Sequence, residues 1–314
     1  MAQSRNDLGG RSLVSGPGLD GLTTEAGSDP SAEYDVLPTI ELVVLMNAQD
    51  ATVPAAVAEV ASSIALVVDA VAARMLQGGR LVYAGAGSSG RIAALDASEC
   101  ESTFSTPPGA VVALIAGGAE APALEQEAAE DDREAGVADV QKLGVGASDC
   151  VVGVSASGRT PYVLGAMSAA SDAGALTACV VSVHSSELAH IVEHEIAVVV
   201  GPEFLAGSTR LKAGTAQKLV LNTISTLSMI RLGKTFGNLM VDVNATNEKL
   251  RARVRRIVGT ATGATPDRIE DALTASNGDA RVAIVSLLGG IEAEEARARL
   301  DDAGQSIRRA LDTQ

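Results

Sequence analysis

The sequence predicts an α/β fold, a three-layer sandwich with a mostly parallel sheet, followed by a small C-terminal helical module. Three observations carry this. Four short apolar runs, "RLVYAGA" near 80, "AVVALIAGG" near 110, "DCVVGVSAS" near 149 and "LTACVVSVHS" near 176, alternate with helical stretches, and a fifth, "EIAVVVG" near 195, follows them. The runs are rich in β-branched residues and lack in/out alternation, as expected of parallel strands covered on both faces. Beyond Val258 the composition shifts to short amphipathic stretches punctuated by Gly, Asn and Asp.

Taken in order, residues 1–21 are rich in Gly, Ser and polar residues and read as a mobile arm. From Thr39 the apolar spacing becomes helical, breaks near Asp50 to Pro54 and stops at Gly78-Gly79, which predicts two helices. The five strand-like runs and their helical spacers then build the sandwich through right-handed crossovers. After Gly201 a long helical segment, "GSTRLKAGTAQKLVLNTISTLSMIRLGKTFGN", has apolar residues on one side and hydroxyl, amide and lysine groups on another. Three or four short helices complete the chain. The expected division is an arm at 1–21, an α/β unit at 22–258 and a helical module at 259–314.

Composition narrows the function. The 314 residues are 46% hydrophobic and 20% charged, enough for one large or two modest packed units. A net charge of −15 makes nucleic acid or an anionic membrane a poor partner. A phosphorylated small molecule stays open, because a helix N-terminus binds phosphate locally whatever the total charge. Cys100, Cys150 and Cys179 show no metal-ligand spacing, which fits a reducing cytoplasm, and His184, His190 and His194 lack a cysteine partner for zinc. The first twenty residues lack the apolar core of a signal peptide, and no apolar run is expected to reach membrane-spanning length. Only 2% of residues are aromatic and none is Trp, so bases or sugars do not stack on indole.

In a doubly wound sheet, ligands bind in the loops that leave the carboxyl ends of the strands. Two such loops share a composition. Gly85-Ala86-Gly87-Ser88-Ser89-Gly90 follows the first strand, and Ser155-Ala156-Ser157-Gly158-Arg159-Thr160 follows the third. Each sets glycine and small hydroxyl residues at a helix start, where free N–H and O–H groups can surround a phosphate. A dinucleotide would also require an acidic residue about 20 residues on, at the end of the second strand. That strand ends in Ala116-Gly117-Gly118, with Glu120 set beyond the glycines, so the fingerprint is half present and a phosphate monoester is favoured. The plainer reading is that both loops are tight strand-to-helix turns with Ser caps.

The carboxylates come next. Asp96 and Glu99 lie one helical turn apart after the first loop, and Glu127, Glu130, Asp131 and Asp132 cluster after the second strand. The cluster reads most simply as a solvated helix face. Two carboxylates brought together by the fold would instead divide into acid and base.

Five stretches carry a family resemblance: "GLTTEAGSDPSAEYDVLPTIELVVLMNAQDATV", "YAGAGSSGRIAALDASECESTF", "LIAGGAEAPALEQEAAEDDREAG", "GVSASGRTPYVLGAM" and "VGPEFLAGSTRLKAGTAQKLVLNTISTLSMIRLGKTFGNLMVDVNATNEKLRARVRRIV". Through them the chain resembles the N-acetylmuramic acid 6-phosphate etherases of the sugar isomerase (SIS) domain superfamily, over residues 20 to 258 in the family's order. The tail resembles the ubiquitin-associated-like module that ends many of these enzymes. The resemblance implies cleavage of a lactyl ether by acid/base elimination and water addition, with no metal, nucleotide or redox cofactor. It implies Glu99, in "DASE", and Glu130, in "EAAEDD", as the pair, Glu99 toward the lactyl oxygen and Glu130 toward C2. It places Gly87, Ser88, Ser89, Ser155, Ser157 and Thr160 around the 6-phosphate and Lys212, in "STRLKAG", near the sugar or its phosphate; from the residues alone, Lys212 reads equally as a surface lysine at a helix start. It also implies a cytoplasmic homodimer with sites near the subunit interface.

The chain departs from the family at three places. Ser88 stands where Thr is usual, which keeps the hydroxyl. Glu101-Ser102 stand where Pro-Pro is usual, adding charge beside Glu99, and Ala128 replaces Gly on a helix. The rival readings are a non-catalytic sugar-phosphate regulator of the SIS type, an aldose–ketose isomerase and, last, a dinucleotide enzyme.

Overall fold

The computed structural model describes residues 33–118, 128–242 and 248–312. Glu120 and Glu127, and the N-terminal arm, lie outside the described residues.

Helices α1 (Thr39–Asp50), α2 (Val53–Glu59) and α3 (Ala61–Met75) precede the sheet. There are three helices here, where the sequence pattern predicts two. A first turn ends at Ala51-Thr52, with the Thr52 hydroxyl on the Gln49 carbonyl. A second non-helical residue, Val60 (φ −103°, ψ 16°), then separates α2 from α3. The apolar spacing runs through that break and conceals it. In α3, Ile64, Val67, Val68, Val71 and Ala72 form a stripe of helical period that is buried against the sheet.

The sheet contains β1 (Leu81–Gly85), β2 (Val111–Ile115), β3 (Cys150–Val154), β4 (Leu176–Val181) and β5 (His194–Ala197). Its order is β2-β1-β3-β4-β5 and every pairing is parallel, as the covered strands require. Helix α4 (Gly87–Phe104) follows β1, α5 (Arg133–Leu143) precedes β3, α6 (Pro161–Asp172) follows β3, and α7 (Lys212–Arg231) follows the sheet.

Side chains alternate between two cores. Leu81, Tyr83, Val152 and Val180 face one with α2, α3 and α7. Val82, Ala84, Val151 and Cys179 face the other with α6. Each fully buried Val or Leu in these layers is worth about 1.5–3 kcal/mol. The α5–α6 crossing is set by glycine, because a Cβ on Gly136 would stand 2.0 Å from the Tyr162 carbonyl oxygen and one on Gly165 2.0 Å from that of Arg133.

At the opposite end of the strands, Arg80 and Asp149 fasten β1 to β3. Asp149 accepts from the Arg80 backbone N–H, its Nε and its terminal guanidinium nitrogen, the last at 2.7 Å, and also from the Gly146 N–H.

A hairpin, β6 (Thr235–Phe236) and β7 (Leu239–Met240), follows α7; its Gly237-Asn238 turn is a local signal that the helical reading of this segment passed over. Helices α8 (Glu248–Thr262), α9 (Pro266–Ala275), α10 (Ala280–Gly289), α11 (Ala293–Asp302) and α12 (Ile307–Asp312) share a third core with the hairpin, around Val258, Ile284, Leu300 and Ile307. Lys234, Asp242, Arg281 and Asp279 form a chain of ion pairs along its border with the α/β unit.

The run Thr39–Glu59 is, by length and composition alone, long and apolar enough to cross a bilayer, contrary to the expectation from sequence. It is divided between α1 and α2 at Ala51-Thr52, and α1 buries none of its residues.

Candidate functional site

The strand order creates the site. The chain leaves β1, adds β2 on one side, and returns to the other side of β1 with β3, so the sheet's switch point lies between β1 and β3. Gly85 is in register with Val154, which brings the two Ser/Gly loops side by side at the carboxyl edge.

The first loop makes a tight turn into α4. Ala86 is extended, Gly87 takes a left-handed conformation (φ +51°), and Ser88 and Ser89 form the half-buried first turn. Gly90 packs on β1, where a Cβ would stand 2.8 Å from the Gly85 carbonyl oxygen. A helix leaves its first N–H groups without intrahelical partners, and here they open at the switch point.

The second loop is organised by its own hydroxyls. Ser155 Oγ accepts from the Gly158 N–H at 3.0 Å and lies 2.9 Å from Thr160 Oγ1 and 3.5 Å from Ser157 Oγ. Ser157 Oγ accepts from the Arg159 N–H at 3.3 Å. Gly158 is left-handed (φ +65°), and a Cβ there would stand 2.3 Å from Ser186 Cβ.

Glu130 reaches both loops. Thr160 Oγ1 donates to Glu130 Oε1 at 3.4 Å, and Glu130 Oε2 lies 3.8 Å from where a Gly87 Cβ would be. Its backbone carbonyl accepts from the Tyr162 N–H, so the end of the β2–α5 connection is tied to the start of α6. Asp132, two residues on, caps α5 through the Ala135 N–H. Gly87, Ser155, Ser157, Thr160 and Glu130 therefore come together.

Glu99 does not join them within the chain. It lies twelve residues beyond Gly87 on α4 and is exposed, on the flank of the stripe that buries Asp96 and Cys100. Lys212 is buried at the first residue of α7, its Nζ donating to the Val200 carbonyl at 2.8 Å. The start of α7 meets the start of α4 where a Gly214 Cβ would be 3.4 Å from Ile92 Cδ1.

Two supports belong to the fold: the sequence reading placed Asp96 one turn from Glu99 without its buried role, and did not single out Glu203. Glu203, fully buried, accepts from the Lys212 and Ala213 N–H groups, both at 2.9 Å, and so caps α7 from nine residues upstream. Asp96, 5% exposed, accepts from the Tyr83 hydroxyl, Asn222 Nδ2 and Ser225 Oγ, tying β1, α4 and α7 together. Burial, then the Asp96 charge and hydrogen bond, push the Tyr83 hydroxyl well above its usual range. Burial and the Asp96 charge likewise push the Cys100 thiol up to about 12, so it stays protonated and inert. Asp96 had a visible signal, an acid at the i+3 spacing of a buried helix face. Glu203 had none, because its partners depend on how the 201–211 loop folds back. Among the described residues, no group of three or more His, Cys, Asp or Glu is placed to hold a metal ion.

Paired hydroxyl-and-glycine loops at the switch point of a 2-1-3-4-5 parallel sheet, with one carboxylate reaching both, make a site suited to a phosphorylated small molecule, and the family comparison gives its class as an SIS domain. Residues 63–171 match the family model of the glucokinase regulatory protein N-terminal SIS domain. In fold alone, the chain is similar to a phosphoheptose isomerase from Francisella tularensis, with 17% identity, 62% of this chain and 100% of that one covered, and a TM-score of 0.50. The sequence is 58% identical to an N-acetylmuramic acid 6-phosphate etherase from Streptomyces coelicolor, over 93% of this chain and 94% of that protein. It is 57% identical to one from Rubrobacter xylanophilus (93% and 97%) and 48% identical to one from Escherichia coli (94% and 99%). The chain belongs to the N-acetylmuramic acid 6-phosphate etherase family.

Proposed function

We propose that this enzyme cleaves the D-lactyl ether of N-acetylmuramic acid 6-phosphate, giving N-acetylglucosamine 6-phosphate and D-lactate with consumption of one water. The observation that carries the reading is the convergence of Glu130 with both hydroxyl loops. A phosphate held by Ser88, Ser89, Ser155, Ser157 and Thr160 presents the sugar carbons to that carboxylate.

Opening the ring gives an aldehyde at C1, which acidifies the C2 proton and makes the C3 ether a β-leaving group. Glu130, as carboxylate, takes the C2 proton while its electron pair forms the C2–C3 double bond and the C3–O bond breaks. Glu99, as carboxylic acid, gives its proton to the departing lactyl oxygen. In the second half Glu99, now a carboxylate, accepts a proton from the water that adds its hydroxyl to C3. Glu130 returns its proton to C2. Both groups end as they began, and protein carboxyls suffice for every transfer.

Lys212 is proposed as a positive charge near the sugar phosphate. We also propose a cytoplasmic homodimer with its sites near the subunit interface, partnered with neither nucleic acid nor membrane. The division at 22–258 and 259–314 is retained as a reading of the chain, with the third core drawing α8 and the hairpin toward the helical module. A purely regulatory sugar-phosphate protein is less favoured, since the match to the regulatory protein's domain spans residues 63–171, whereas the etherases match over 93% of the chain.

The test is lactate release from N-acetylmuramic acid 6-phosphate by the purified protein with no added cofactor. Release is expected from the wild type, and a fall of roughly 10²–10⁴-fold in Glu99→Gln and in Glu130→Gln. Binding of the sugar phosphate without lactate would refute the etherase reading.

A further inference from the structure

Among the described residues, Gln217 is alone in having both polar side-chain atoms buried with no hydrogen-bond partner. The residue is 1% exposed. Leaving a buried amide unpaired is costly, so such a group in a folded protein calls for a ligand, a water or a mechanistic use. Other polar groups on the same helix are served: Lys212 Nζ donates to the Val200 carbonyl, and Asn222 and Ser225 donate to Asp96.

The position of Gln217 leads to the substrate. Helix α7 runs beside α4 in the same direction, because Gly214 approaches Ile92 and, further along both helices, Asn222 and Ser225 reach Asp96. Since α4 begins at the carboxyl edge of the sheet, α7 begins at that edge too. Gln217 lies five residues beyond Lys212, about 7.5 Å along the axis at roughly 1.5 Å per residue. Helical side chains lean toward the N-terminus, so this amide leans back to the edge where Ser88, Ser89 and Glu130 stand. By helical period it projects between Gly214, which meets α4, and Ala213 and Val220, which enter the core shared with Leu81 and Tyr83 of β1. That direction points beneath the first loop.

The proposed chemistry engages the phosphate, the C2 proton and the C3 ether oxygen. It leaves unclaimed the acetamido group, which hangs from the same C2 on which Glu130 acts. An acetamido group is neutral, with a carbonyl acceptor at one side and a methyl at the other. A buried amide N–H beside an apolar core of Ala93, Ala213 and Ala216 suits both parts. Resting on the etherase reading, we propose that Gln217 is the residue that recognises the N-acetyl group, its Nε2 donating to the acetamido carbonyl. The unpaired amide of the free protein is then a binding group held ready for the substrate.

Calorimetry with two sugar phosphates tests this without relying on turnover. N-acetylglucosamine 6-phosphate, the proposed product, carries the acetamido group, and glucose 6-phosphate has an uncharged hydroxyl in its place. The wild type is expected to bind the first about 10–100-fold more tightly than the second. Gln217→Met keeps the side-chain length and removes the amide. It should bind N-acetylglucosamine 6-phosphate about 10–100-fold more weakly than the wild type does, and glucose 6-phosphate equally well, so the preference disappears. Retained glucose 6-phosphate binding shows that the variant is folded, and Gln217→Leu, a second apolar variant, should give the same pattern. Equal losses on both sugars in both variants, no loss on either sugar, or a wild type that does not distinguish the two would overturn the assignment and leave the etherase reading standing. A wild type that binds neither sugar would overturn the phosphosugar reading itself, and the role of Gln217 with it.

Discussion

Replacing Glu203 with Gln would remove one negative charge and change little in volume. The carboxylate is completely buried and takes the first two N–H groups of α7, one on each oxygen, at 2.9 Å. Gln keeps one acceptor, and its amide NH2 confronts the other N–H. A hydrogen bond to a charged group, lost with its donor left buried, costs about 1.5–3 kcal/mol. Loss of the charge at the positive end of the helix adds about 0.5–1 kcal/mol. The sum is about 3 kcal/mol, which for a unit of this size lowers the melting temperature by roughly 6–12 °C. Thermal unfolding followed by circular dichroism reads it directly. Glu203→Asp, which keeps the charge and shortens the reach, should fall between wild type and Gln. A drop below about 2 °C for Gln would refute the two-bond cap.

Three further outcomes are expected. Burial would by itself raise the Asp149 pKa, but hydrogen bonds from the Arg80 guanidinium, the Gly146 N–H and the Arg80 N–H, together with the Arg80 charge, hold the carboxyl below its usual range. A depressed folded-state pKa stabilises the protein above the unfolded value, near 3.9, and that stability is lost as pH falls through the folded value. Urea unfolding should therefore find Asp149→Asn weaker than wild type by about 2–3 kcal/mol at pH 7, the two converging below pH 4; an equal gap at both pH values would disprove it. Gly158→Ala forces a left-handed Ala against Ser186, a strain of about 1–3 kcal/mol, and should raise the substrate KM roughly tenfold or more. Thr160→Val removes the hydroxyl shared by Ser155 and Glu130 and should also raise KM by about tenfold or more while the melting temperature holds; an unchanged KM would remove Thr160 from the phosphate cradle.

Much of this protein is legible locally. The doubly covered strands, the paired glycine-and-hydroxyl loops and the helical tail each declare themselves in short windows, because strand propensity, helix period and turn chemistry are properties of neighbouring residues. The three-helix start was misread as two because the apolar period continues through Val60, where only the backbone turns aside. The Gly237-Asn238 hairpin was legible but was absorbed into a longer helical pattern.

The site divides along the same line. The sequence by itself offered the kinds of group available: two loops able to hold a phosphate and, through the family resemblance, glutamates at 99 and 130 as a proton-exchanging pair. Only the tertiary structure decided which of them meet. Parallel pairing of β1 with β3 puts residues 87 and 160 beside one carboxylate although 73 positions separate them, whereas the rigid rise of α4 carries Glu99 away although it starts in the same loop. A helix fixes distance in proportion to sequence separation, and a sheet abolishes that proportion. That is why the reach of Glu130 and the burial of Glu203 had to be seen in the fold, while the two glycine-and-hydroxyl loops could be read from the chain.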